Sequence, residues 1–309
     1  MIIPNFDYFL RIVEYKNISK AAESLFLTQP SLTKYLQRLE ADVGAPLFDR
    51  TQTPLKLTDA GTYFYNYIKN VQSEEKNLSA KIQEIKSGNR AKLCVGMPLW
   101  RANVLLPEFL PIFFKKYPLI EFKLKEGSAA VLENAIMNED VDFCLMNLPV
   151  NYANILYEPI VTEHIFAVGG KNMPLAQRLS SETKGPIPHV DIRVLAQQPF
   201  ILTQPGQHIT QYIENMISRN NVELNCLMRT SNVSTAINLA AAGLGFTFVP
   251  ELGVRSRYFP TNDVSLFTVD TPPLTCTFAA VYKKSKYLSI AAQSFIEELI
   301  IFCKNYNDK

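Results

Sequence analysis

From Lys92 onward, short runs rich in β-branched and aromatic residues alternate with longer runs of helical periodicity, and this alternation restricts the fold more than any other feature. KLCVGM, EFKLKEG, DFCLMNL, HIFAVGG, FILTQ, GFTFVPE and TCTFAAVY read as strands. Residues 102–117, 129–138, 210–220, 232–242 and 285–306 read as helices. Strands separated by helices pair in parallel and carry the helices on the faces of the sheet. Residues 91–309 are therefore expected to form an α/β region with parallel sheets covered on both sides. The stretch Leu179 to Val190, which holds Gly185, Pro186 and Pro188, reads as a surface loop.

Residues 1–90 follow another pattern. Phe6, Phe9, Leu10 and Val13 fall at helical spacing. A second helix opens near Ile18 with Ser19 as its expected N-cap, and Ile18, Ala21, Ala22 and Leu25 form its inner face. A third follows in QPSLTKYLQRLEADVG, where Thr28 caps, Pro30 suits the first turn and Gly44 suits the stop. At 100° per residue Leu32, Tyr35, Leu36, Leu39 and Val43 cluster inward, while Pro30, Thr33, Lys34, Gln37 and Arg38 face outward with Ser31 on the flank. Hydroxyl, amide and cationic groups of this kind bond base edges and phosphates. An ordinary solvated face carries the same residue types, so the helix alone leaves both readings open.

A long helix is expected over Thr58 to Ser87. Phe64, Val71, Leu78 and Ile85 recur every seven residues, with Ile68, Glu75 and Ile82 between them, which makes a dimerisation seam interrupted at Glu75. Packing onto its own domain is the alternative, but about 30 residues reach about 45 Å, long for a small domain. Lys86 to Ala91 reads as a polar hinge.

Composition narrows the function mainly by exclusion. The net charge is +2, with 12 Lys+Arg against 10 Asp+Glu in residues 1–90 and 19 against 19 in the rest. Any contact to nucleic acid must come from local placement of charge. The five cysteines lack paired zinc spacing, and Cys94, Cys144 and Cys276 sit in strand-like runs as ordinary buried thiols. With only His164, His189 and His208, no phosphate-cradling glycine loop and no nucleophile elbow, no catalytic residue, metal or cofactor is expected. The N-terminus carries charges inside its apolar run and does not read as a signal peptide, and no apolar run approaches the ~20 residues of a membrane span. A cytoplasmic protein is expected.

The run SKAAESLFLTQPSLTKYLQRLEADVGAPLFDRTQTPLKLTDAG closely resembles the N-terminal signature of LysR-type transcriptional regulators. The matching elements are Ala21-Ala22, Leu25, Gln29-Pro30, Thr33, Leu39-Glu40, Gly44, Leu47-Phe48, Arg50, Leu57-Thr58 and Ala60-Gly61. The resemblance implies an all-α winged helix-turn-helix domain over 1–58 and a linker helix over 59–88. An α/β effector-binding domain of two periplasmic-binding-protein-like subdomains would follow over 91–309. Subdomain I would take 91–162 and 268–309, and subdomain II 163–267, with crossovers near Val161 to Glu163 and Phe267 to Thr271. The third helix would enter the major groove, and Phe48 to Thr58 would form a wing with Arg50 against the backbone or minor groove. DNA contacts are then expected from Ser19, Thr28, Gln29, Pro30, Ser31, Thr33, Lys34, Gln37, Arg38, Arg50 and Lys56. Gln52 and Thr53 stand where arginines are common in the family, so fewer phosphate contacts and a weaker salt dependence are expected.

A looser resemblance continues in LLPEFLPIFFKKYP, VDFCLM and AAAGLGFTFVPE, which match the family's effector-binding region. Ligands of such folds sit at the carboxyl ends of the strands, between the subdomains. This selects Pro98, Leu99, Trp100, Arg101, Ser128, Asn147, Thr203, Gln204, Ser231, Asn232 and Thr247, with His208 as an outer candidate. Helix N-termini favour an anion, and Arg101 is a candidate partner for a carboxylate. Each residue also has an ordinary explanation: packing for Trp100, an ion pair for Arg101, helix capping for Ser128, Ser231 and Asn232, and backbone satisfaction for Asn147 and Thr203. The expected partners are double-stranded DNA, a small organic-acid effector and a second copy of the chain, or four copies as the family commonly forms. A regulator acting through oligomerisation alone, a solute-binding protein and an enzyme are the competing readings.

Overall fold

Phe9 and Ile12 lie one turn apart on the first helix and are fully buried, and the N-terminal unit is assembled around them. Its elements are α1 (Phe6–Tyr15), α2 (Ile18–Ser24), α3 (Gln29–Val43), the two-residue strands β1 (Phe48–Asp49) and β2 (Lys56–Leu57), and the long helix α4 (Asp59–Ser87). The computed structural model describes residues 6–87, 91–150, 152, 154–182, 185 and 187–307. The chain divides into two compact units, Met1–Ser79 and Ala80–Lys309, each considered by itself.

In the first unit Ala21 and Ala22 let α2 cross α1 closely, and Leu32, Leu36 and Leu39 bring the inner face of α3 onto the same core. Thr28 sits at the N-cap of α3 with Pro30 in its first turn. Gly44 closes the helix at φ +80°, in the left-handed region where a side chain is strained. Asn17, not Ser19, caps α2: its Oδ1 accepts the Lys20 N–H at 3.0 Å, and Ser19 is an exposed residue inside the helix. The seam also needs correction. Phe64 and Ile68 are buried in this unit's own core, where Phe64 meets Phe9 edge to face at 5.1 Å between centroids. Val71 is half-buried, whereas Leu78 and Ile82 are exposed. The side chain of Ile85 and residues 88–90 of the expected hinge lie outside the described residues, while the first two residues of that hinge, Lys86 and Ser87, end α4.

The second unit continues with β3 (Lys92–Met97), α5 (Leu99–Lys116), β4 (Glu121–Glu126), α6 (Ala129–Met137), β5 (Phe143–Asn147), β6 (Ile155–Gly170), α7 (Pro174–Glu182), β7 (His189–Val190), α8 (Ile192–Leu195), β8 (Pro199–Thr203), α9 (His208–Asn220), β9 (Asn225–Thr230), α10 (Val233–Ala241), β10 (Phe246–Pro250), α11 (Glu251–Val254), β11 (Val264–Val269), β12 (Thr275–Lys283) and α12 (Ile290–Asn307). The 16-residue β6 runs through two lobes. From Ile155 to His164 it pairs with β12 in lobe I, whose strand order is β4-β3-β5-β12-β6. From Ile165 to Gly170 it pairs with β10 on one side and β11 on the other in lobe II, and β10 continues to β8 and β9. The chain leaves lobe I between His164 and Ile165 and returns between Val269 and Thr275, slightly later than expected each time.

The sheets are mixed rather than purely parallel. β3, β4 and β5 pair in parallel, as do β8, β9 and β10, but β12 runs antiparallel to β5 and β6. A strand returning between lobes arrives from the opposite end, so the crossovers force the antiparallel pairs. Helices cover both faces of lobe I, with α5 and α12 on one through Phe109, Phe113 and Phe295, and α6 on the other through Leu132 and Ile136. The supposed loop at Leu179 to Val190 begins as the end of α7 and finishes as β7, with residues 183, 184 and 186 outside the description. The last helix starts at Ile290 rather than Ser285.

Candidate functional site

The outward face of α3 is built as the residue types require. Thr28, Gln29, Pro30, Ser31, Lys34, Gln37 and Arg38 are exposed, opposite the buried Leu32, Leu36 and Leu39. At its N-terminal end Thr28 Oγ1 and Ser31 Oγ are hydrogen-bonded at 2.8 Å, and Gln29 Nε2 donates to Thr33 Oγ1 at 3.3 Å. Thr33 is only half-exposed. These polar groups are held as pairs before anything docks on them.

One carboxylate ties the wing to α3. Glu40 Oε1 accepts the backbone N–H groups of Leu47 at 2.8 Å and Phe48 at 3.3 Å, while its Oε2 accepts Arg50 Nη2 at 2.6 Å. Arg50 is therefore already ion-paired within the domain. Asp49 organises the wing turn, accepting from the Thr51 hydroxyl at 2.6 Å, the Thr51 N–H at 2.9 Å and Gln52 Nε2 at 2.9 Å. These bonds, chiefly the one from the Thr51 hydroxyl, hold the Asp49 carboxyl below its ordinary value. Gln52 thus serves the turn. Lys34, Arg38 and Lys56 are exposed, and none has an ion-pair partner among the described residues.

Between the two lobes of the second unit lies a cavity of about 420 Å3. Four helices begin on it: α5 with Leu99, Trp100 and Arg101, α6 with Ser128 and Ala129, α9 with Gln207, His208 and Ile209, and α10 with Ser231 and Val233. Each helix follows a strand of the parallel sets, so the common direction of those strands brings the four N-termini together. No side chain caps α5, α6 or α9, whose N-cap positions hold Pro98, Ser128 and Gln207. α10 is capped, because Asn232 Oδ1 accepts the Ser234 N–H at 3.0 Å. The uncapped first turns leave N–H donors and the positive ends of helix dipoles aimed at one space.

Of the residues expected here, Pro98, Leu99, Trp100, Arg101, Ser128, Asn147 and Ser231 line the cavity together, and so does His208. Thr203, Gln204, Asn232 and Thr247 do not. Thr203 is buried and shares a 2.7 Å hydrogen bond with Thr210, Thr247 is buried within β10, Gln204 is exposed, and Asn232 is spent on its cap. Glu126, Gly127, Gln207, Ile209, Val233 and Pro250 were not foreseen. Gln207 was readable as the residue before a helix and after Gly206.

Arg101 is the largest revision. Its guanidinium is 3% exposed and bonds Glu163 Oε1 at 2.6 Å, Glu163 Oε2 at 3.3 Å and Asn147 Oδ1 at 3.2 Å. Glu163 Oε2 also accepts the Leu252 N–H at 2.7 Å, and the Phe278 ring lies 4.6 Å from the guanidinium carbon. The charge is matched within the wall. His208 reaches from lobe II to lobe I, with Nδ1 3.0 Å from the Pro149 carbonyl oxygen and Nε2 3.4 Å from Glu133 Oε1. Burial pushes its pKa below the ordinary value, against the pull of Glu133. Among the described residues no group of three or more His, Cys, Asp or Glu is placed to hold a metal ion, and no helix is long and apolar enough to cross a membrane.

Comparison with known proteins agrees with this division. The family model for the bacterial regulatory helix-turn-helix protein of the lysR family matches residues 4–62, and that for the LysR substrate binding domain matches residues 86–301. The uncharacterized HTH-type transcriptional regulator YcgK of Bacillus subtilis is 29% identical over 306 residues, covering 96% of this chain and 93% of that protein. A full-length OxyR from Pseudomonas aeruginosa superposes with a TM-score of 0.63 at 19% identity, over 97% of this chain and 94% of its own. The regulatory domain of CcmR from Synechocystis, solved in complex with 2-PG, superposes with a TM-score of 0.59 at 20% identity, over 70% of this chain and 98% of its own.

Proposed function

The chain belongs to the LysR family of transcriptional regulators, with a helix-turn-helix domain and an effector-binding domain, and from that premise we propose how its two ends work. At the DNA end, α3 enters the major groove. Gln29 and Thr33 contact base edges, while Lys34, Arg38 and Lys56 contact phosphates. Arg50 positions the wing through Glu40 as well as facing the backbone. With few unpaired cations, one copy binds weakly, and two copies joined through the exposed part of α4 read half-sites a whole number of helical turns apart. A protein with this task works in the cytoplasm, on double-stranded DNA.

The effector is a small organic anion held in the cavity between the lobes. The observation that carries this reading is the convergence of four helix N-termini, three of them without a side-chain cap, on one space. Backbone N–H groups so placed bind anions without a countercharge. The CcmR regulatory domain, solved in complex with 2-PG, supports small-molecule binding by a domain of this shape. Arg101 plays no part as a free cation, and Glu126 in the same lining favours an anion that also carries a hydroxyl or ammonium donor. Binding shifts the lobes only by the difference in the anion's affinity for their two arrangements.

Selection from a random pool of duplex DNA with the full-length protein tests the DNA end. Enriched sequences should contain two related half-sites at a spacing of whole helical turns. A pool without enrichment would overturn the reading.

A further inference from the structure

Behind the indole of Trp100 lies a second space. Trp100 lines the anion cavity on one side and, on the other, a chamber of about 300 Å3 bounded by α5 of lobe I and by α10, α11 and residues 258–260 of lobe II. The indole reaches between them because α11 has a glycine there: a Cβ on Gly253 would collide with the Cη2 and Cζ2 atoms of the ring. Val104, Ile237 and Phe259 supply apolar wall, and no charged side chain lines the chamber. Asn103 and Asn238 stand at its rim, both solvent-exposed, and neither carboxamide has a hydrogen-bond partner among the described residues, so both are open to a ligand.

These walls state what fits. The lining offers no charged side chain to pair with a charge, so it suits a neutral occupant. Ring-shaped apolar surface matches Trp100 and Phe259, and the two exposed carboxamides at the rim offer both donors and acceptors. We propose that this chamber is a second ligand site for an uncharged aromatic compound bearing an amide or hydroxyl group, which packs on Trp100 and bonds Asn103 and Asn238. Its occupant touches both lobes and shares Trp100 with the anion cavity. Each ligand therefore alters the affinity for the other by the same factor. The proposal does not depend on the anion reading of the front cavity.

Trp100 is the sole tryptophan of the chain, so its emission reports the chamber directly. The full-length protein is titrated with benzamide, a neutral ring with one carboxamide, and with benzoate as the charged counterpart. A ligand this small binds in the millimolar range, so titration runs to about 10 mM. Wild type should show a saturable change with benzamide that Val104→Phe abolishes by filling the chamber. Asn238→Leu should weaken it roughly tenfold, whereas Ser128→Phe, which plugs only the front cavity, should leave Kd within about twofold. Circular dichroism establishes that each variant is folded, and Asn238→Leu alone decides the matter should Val104→Phe unfold. No saturable response, a response unchanged in the folded chamber variants, or one stronger for benzoate than benzamide overturns the proposal. Loss in Ser128→Phe with retention in Val104→Phe also overturns it, and leaves the front-cavity reading standing.

Discussion

Glu163 holds Arg101 through two contacts, the shorter 2.6 Å, with the carboxylate fully buried on β6 and the guanidinium 3% exposed on α5. The pair joins the first turn of α5 to the strand that runs through both lobes, and Leu252 N–H ties it to α11. An arginine in a ligand cavity invites the role of anion receptor. Here its charge is matched by Glu163 on β6.

Glu163→Gln should therefore destabilise the chain by roughly 3–5 kcal/mol, the cost of leaving one buried charge unmatched. Replacing both partners by apolar residues, as Glu163→Met with Arg101→Met, should recover most of that loss, since apolar substitution of a whole pair is often neutral. Denaturant unfolding of the single and double variants checks this. A single variant within about 1 kcal/mol of wild type would remove the pair from the account.

At the DNA end Gln29 and Thr33 bond each other, so they should not act separately. Either alanine substitution should change sequence preference by about 1–3 kcal/mol per lost base contact. The double substitution should cost less than the sum of the two, because each single change already disrupts the shared geometry. Competition binding against half-site variants measures the cycle, and strict additivity would refute the coupling.

The two halves of α4 should respond in opposite ways. Ile68→Ala should cost stability, about 2–5 kcal/mol for a fully buried aliphatic side chain, with little change in self-association. Ile82→Asp lies on an exposed stretch and should weaken the dimer without lowering the stability of the first unit. Sedimentation velocity with thermal unfolding separates them. A wild-type sedimentation profile for Ile82→Asp would dismiss the seam.

His208 adds a pH dependence of definite sign. Burial lowers its folded pKa below the ordinary 6.5, so the unfolded chain binds the proton more readily than the folded one. The stability from burying neutral His208 is complete above pH 6.5 and is lost as pH falls through the folded value. His208→Gln should flatten the fall in Tm between about pH 7 and pH 5. An equal slope in the two proteins would contradict the burial argument.

How much of this was legible depended on whether chain neighbours or distant residues decided the outcome. α3 was bounded correctly because Thr28, Pro30 and Gly44 are local signals, and the helix-covered strands followed from alternation along the chain, whereas their division into two lobes came from the family resemblance. Asn17 and Ser19 both suit a cap, and only the backbone conformation chose between them. A seven-residue repeat marks a buried face without naming what buries it, so Phe64 and Ile68 could not be told from Leu78 and Ile82. Glu163 is 62 positions from Arg101, and nothing between them announces the pair. Thr203 and Thr247 end or lie in predicted strands, where one residue's difference in facing separates the core from the cavity.

The most direct test of the central claim is thermal unfolding of the full-length protein with 2-PG and a panel of small hydroxy- and amino-carboxylates, at constant ionic strength. An anion bound at the helix N-termini at 100 times its Kd should add about 2.7 kcal/mol, a rise in Tm of several degrees that saturates with concentration. The account predicts such a rise for at least one anion and its loss in Ser128→Phe. A panel that leaves Tm unmoved, or a shift that survives in Ser128→Phe, would contradict it.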